Sequence, residues 1–125
     1  MSLRSPLARV RGLGSAKDGT HHFWMQRLTA VALVPLTLWF VVGVIGHIGA
    51  DQAAMKAWMS SPVSAALMIA FVAVAFHHGQ LGIQVVIEDY VHDEGLKIAG
   101  IVVVKLVSVI LALAAIVSVL RLALA

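Results

Sequence analysis

Residues Phe76 to His92, FHHGQLGIQVVIEDYVH, place a histidine pair inside an apolar stretch and close that stretch with Glu88, Asp89 and Tyr90. An ionisable side chain at membrane depth is costly, so one that persists there points to function. At about 100° per residue, His78, Gly82 and Asp89 share one helix face, and helical rise separates His78 from Asp89 by roughly 16 Å. With Asp89 at the water boundary, His78 falls near the midplane of a hydrocarbon core about 30 Å thick. Two chemistries suit these residues. A buried imidazole either ligates a metal or haem iron or hydrogen-bonds between packed helices. A boundary phenol beside a carboxylate either hydrogen-bonds a quinone carbonyl and assists proton delivery or simply anchors the helix in the interface.

The elements that position these residues follow from composition. Of 125 residues, 61% are hydrophobic and 12% charged, and the mean hydropathy is +0.98, which excludes an ordinary soluble domain. The reading is an all-α membrane protein with three transmembrane helices, up-down-up, over about residues 28–48, 63–87 and 98–120, preceded by an arm over residues 1–22. Residues 49–62 and 88–97 read as loops, the second with four acids and one lysine. Pro35 should bend the first helix. Three helices are too few to enclose a large site, so partner chains are expected. With no cysteine, any redox group must be held by nitrogen or oxygen ligands.

The net charge of +3 and pI near 9.8 reflect Arg4, Arg9, Arg11 and Lys17. On a membrane protein such a cluster reports orientation, placing the N-terminus and the 88–97 loop in the cytoplasm, and no nucleic-acid motif accompanies it. The arm faintly has transit-peptide composition, but no small-residue cleavage site follows the first apolar run, and cleavage is not expected.

Gly82 on the histidine's face, with Ala75 on the other side, would admit a flat, bulky group or a packed neighbour helix. Imidazole on both sides of an iron needs a second histidine at the same depth. His47, His21 and His22 each lie about 15 Å away in depth by helical rise, so a second ligand would come from another subunit. On a second stripe of the same helix, His77, Gln80, Gln84 and Glu88 recur at helical spacing. Lys105, the one charge well inside the third span, should reach Gln80, Gln84 or Glu88 directly or through one water and lock the second and third helices; the alternatives are a lysine that snorkels to lipid headgroups with no partner, or one that takes part in quinone or haem chemistry.

His78, Gly82 and Asp89-Tyr90, together with His21-His22-Phe23 and Arg27-Leu28-Thr29-Ala30, resemble the smaller hydrophobic membrane-anchor subunit of succinate dehydrogenase, respiratory complex II, of the haem b-containing class. The resemblance covers about residues 19–92 in motifs and the whole chain in architecture. It implies a heterotetramer with a flavoprotein, an iron-sulfur protein and a second, cytochrome b556-like anchor, in a bacterial inner membrane rather than a mitochondrial one. It further implies His78 as an axial haem ligand, with His77 the neighbour with which it is most easily confused, and Arg27 and His21 at haem propionates. Tyr90 and Asp89 are implied at a ubiquinone site. No Gly-rich dinucleotide fingerprint is present, so succinate oxidation is expected on a partner. The alternative reading is a purely structural membrane scaffold whose histidines are helix-packing groups and which holds no cofactor.

Overall fold

A chain this apolar must satisfy its own backbone in lipid, and the helix does so within one segment. The computed structural model describes residues 5–12 and 19–125. Arg4 and Lys17 of the expected arm lie outside them. The described residues form a five-residue helix α1 (Pro6–Val10), then α2 (Gly19–Gly46), α3 (Gln52–Ser60), α4 (Pro62–Tyr90) and α5 (Glu94–Leu124), without strands. Three of these, α2, α4 and α5, are long and apolar enough to cross a membrane. The up-down-up reading therefore holds.

Each span is longer than hydropathy alone suggested, because polar ends continue the helix past the apolar run. The boundary drawn at residue 22 falls inside α2, so His21 and His22 ride on the helix. The second loop shrinks to Val91–Asp93, where the Asp93 carboxylate accepts from the Leu96 amide at 2.8 Å and starts α5. Glu94 then pairs with Lys97 at 3.2 Å. The first expected loop is mostly helix. Asp51 caps α3 by accepting from the Ala54 amide at 2.9 Å, a cap that hydropathy does not register. Pro35 leaves the Val31 carbonyl without its usual donor, and α2 nevertheless runs unbroken through it.

Helix α4 is central. It packs α2 on one side and α5 on the other, and α2 and α5 do not approach each other among the described residues. Phe40 of α2 stacks on Phe71 of α4, with centroids 4.6 Å apart. At the end away from Tyr90, α3 folds back after Gly49, whose φ of +79° suits glycine. There the Trp58 indole stacks on His47 at 4.3 Å and lies near Trp39 at 5.7 Å. Gly43 permits this docking, since a Cβ at that position would overlap the Trp58 ring. Gly43→Val should therefore cost about 1–3 kcal/mol by overpacking. An earlier thermal transition together with altered tryptophan emission is the expected result, and an unchanged melt would show that α3 docks elsewhere.

The chain buries little of itself. Met59 and Leu81 are the buried hydrophobic residues, with Thr29 and Gln80 the buried polar ones, and α5 has no buried residue at all. Faces so apolar and so open are covered by lipid or by other membrane helices.

Candidate functional site

The histidine pair separates in space. His77 is exposed, whereas His78 is half-buried against α2, where its Nδ1 lies 3.0 Å from the Thr29 hydroxyl. Thr29 is 5% exposed, and its oxygen lies 2.6 Å from the Met25 carbonyl and 3.2 Å from that of Gln26. A hydroxyl has one hydrogen, and a carbonyl only accepts. The Thr29 hydrogen is therefore given to Met25, and Thr29 accepts from Nδ1–H of His78. This fixes the tautomer and leaves the Nε2 lone pair free. Thr29 stands in the first-helix motif, but nothing in the sequence singles it out for this role. Its one signal was a hydroxyl within the apolar span, a feature that Thr37 shares.

His78 opens into a groove of about 400 Å³ lined by Ala30, Leu33, Val34, Thr37 and Leu38 of α2. Arg27 shares an α2 face with Ala30, Val34 and Leu38 at about 100° per residue, one turn above the groove. Its guanidinium lies 5.2 Å over the Phe23 ring. His21 is about 120° round the helix from Arg27 and lines a different space. Asp89 and Tyr90 are exposed in the last turn of α4, Tyr90 at 78%. Neither side chain is hydrogen-bonded among the described residues. The contact with Thr29 also resets the depths. By helical rise from Thr29, His22 lies about 10 Å above the level of His78 and His47 about 27 Å below it.

Of the two small residues, Gly82 stays on the histidine's side, with a packed helix as its neighbour, and Ala75 does not. A Cβ at Gly82 would meet only Gln26 Nε2, at 4.0 Å, so the glycine faces α2 rather than an open pocket. Ala75 lines an apolar groove against α5 instead. Helix phase alone could not tell which neighbour occupies which side.

The second polar stripe is a hydrogen-bonded ladder. Gln80 Nε2 donates to Gln84 Oε1 at 3.3 Å, and Gln84 Nε2 donates to Glu88 Oε1 at 2.9 Å. Lys105 shares a crevice of about 500 Å³ with all three, but it makes no direct hydrogen bond or ion pair with them among the described residues. The lysine and the ladder thus share one cavity, which is compatible with contact through a water. His22 and Gln26, given no role from the sequence, each hold a buried atom without a partner, Nε2 and Oε1 respectively.

Among the described residues no three His, Asp or Glu side chains converge as a metal site. A single oriented imidazole beside an open groove is half a pocket, and the fold around it is that of a multi-pass membrane anchor. The chain belongs to the succinate dehydrogenase/fumarate reductase transmembrane subunit family, whose model matches residues 1–112. It is 34% identical over 116 residues to the succinate dehydrogenase hydrophobic membrane anchor subunit of Rickettsia bellii, covering 93% of both chains. To the subunit of the same description from Paracoccus denitrificans it is 37% identical over 86 residues, 69% of this chain and 67% of the relative. The succinate dehydrogenase membrane anchor subunit of Reclinomonas americana is 29% identical over 97 residues, 74% of this chain and 80% of the relative. No solved structure matches.

Proposed function

We propose that this membrane anchor holds one face of a haem b through His78 Nε2 and contributes Tyr90 and Asp89 to a ubiquinone-reducing site of succinate dehydrogenase. The observation that carries the reading is the bond from His78 Nδ1–H to the buried Thr29 hydroxyl. Metal-ligating histidines typically donate their other ring N–H to a fixed acceptor, which orients the ring and raises its basicity. The apolar groove beside His78 offers a flat face for a macrocycle, and Arg27 above it is a cation suited to a propionate carboxylate. His21, at the same end of α2 but on another side, is assigned the second propionate. Apart from His77, its neighbour on the same helix about 100° round the axis, no histidine of the described residues is level with His78, so the opposite ligand belongs to a second membrane-anchor subunit.

Haem, when bound, supplies one-electron storage at membrane depth. This chain's own residues do the rest. The Tyr90 hydroxyl donates to a quinone carbonyl, and the Asp89 carboxylate beside it orients that phenol and takes up protons at the water boundary. Electrons arrive from an iron-sulfur subunit and succinate is oxidised on a flavoprotein, both docked on the cytoplasmic side of a bacterial inner membrane, where the N-terminus and Tyr90 lie together. The acid-poor, Arg-bearing N-terminal stretch supports that orientation.

Tyr90→Phe removes one hydroxyl and keeps the ring. Quinone reduction by the assembled complex should fall about tenfold, while succinate oxidation with a soluble acceptor stays at the wild-type rate. Unchanged quinone kinetics would reduce Tyr90 to an interfacial anchor.

A further inference from the structure

The crevice holding Lys105 is a second polar space, which the haem and quinone assignments leave largely unused. Its outer end carries Glu88. One carboxylate oxygen of Glu88 is held by Gln84 at 2.9 Å, and the other is free of hydrogen bonds among the described residues. Below it stands the Lys105 ammonium, exposed and without a hydrogen bond among the described residues. Lys105, counted down α5 from the Val91–Asp93 connection, is level with Gln80, about 12 Å deeper than Glu88 by helical rise. Below that level the space turns apolar. A groove of about 220 Å³ shares His77 and Gln80 with the crevice and continues between α4 and α5 past Phe76, Val109, Ala112 and Leu113.

From water inward, the order is therefore a carboxylate, then a cationic donor, then an apolar channel. A phospholipid with a primary ammonium headgroup has the complementary order of ammonium, phosphate and acyl chain. Unsatisfied polar groups at this depth must find partners, since hydrocarbon offers none, and both ends of such a headgroup supply charge-assisted bonds.

We propose that this crevice and groove bind one phosphatidylethanolamine-type phospholipid. Its ammonium donates to Glu88, its phosphate accepts from Lys105 Nζ, and an acyl chain lies along the α4/α5 groove. The Lys105 stem reaches upward to the phosphate, as lysines near membrane boundaries do. The lipid would seal α5 to α4 where direct side-chain bonds are missing. The proposal does not depend on the haem or quinone assignments.

The test uses the assembled complex, washed extensively in detergent and then extracted, with retained phospholipids counted by mass spectrometry. In a second arm, delipidated complex is offered equal amounts of phosphatidylethanolamine, phosphatidylcholine and phosphatidylglycerol. Wild type should retain the ethanolamine lipid in preference to both others. Lys105→Met should lower its retention about tenfold and Lys105→Arg should keep it. Glu88→Gln should erase the preference over choline while phospholipid is still held. Val109→Trp, which fills the groove and alters no charge, should expel the lipid and carries the test alone if Lys105→Met fails to assemble. The haem spectrum should be unchanged in all four variants. Wild-type complex with no retained phospholipid would mean that water or a partner helix fills the crevice, and would overturn the proposal. So would equal retention in wild type and Val109→Trp, or equal affinity for all three lipids.

Discussion

Replacing His78 with leucine should remove the native haem b signal from the reduced-minus-oxidised spectrum of the assembled complex, and the same change at His77 should leave it in place. The two residues are neighbours in sequence and chemically identical, so the contrast isolates geometry. His78 has its Nδ1 proton committed to Thr29 and lines the open groove. His77 is exposed and makes no hydrogen bond among the described residues. Losing a partner that merely orients a ligand typically costs about 10–100-fold in metal affinity, and losing the ligand itself should exceed that. Haem content per complex, read by pyridine haemochrome, makes the comparison quantitative. Equal haem in the two variants would remove His78 from the site.

The second large effect is expected at Thr29. Thr29→Val keeps the shape and deletes the acceptor, so Nδ1–H of His78 is left buried without a partner and the ring is free to rotate or change tautomer. Haem retention should fall by about tenfold or more, toward the loss at His78 itself. Thr29→Ser, which retains the hydroxyl, should restore most of it. If valine and serine behave alike, the hydroxyl only fills space between α2 and α4, and the haem assignment loses the observation that carries it. Succinate oxidation with a soluble acceptor should be unaffected in both variants, because the proposed function assigns that chemistry to another chain.

Much of this protein was decided locally and could be read as sequence. Three spans, their alternating direction and the histidine and Asp-Tyr placements depend on hydropathy, rise per residue and angular phase, which are properties of a single helix. The family resemblance rested on those same spacings. Helix ends were less legible. Asp51 and Asp93 act through side-chain bonds to amides three residues on, and so what read as a 49–62 loop is largely α3.

What lies beside each helix face was decided only by tertiary packing. Phase put Gly82 on the histidine's face, and packing chose α2 as the neighbour there, while Ala75 went to α5. Phase also put Gln80, Gln84 and Glu88 toward Lys105, and packing gave all four one cavity while the amides paired along their own helix. Thr29 was invisible as a partner of His78 because 49 residues separate them. A helix sequence specifies directions around its own axis. Which neighbour stands in each direction, and at what depth, depends on how three axes pack together, and that choice gave His78 a fixed tautomer and His77 none.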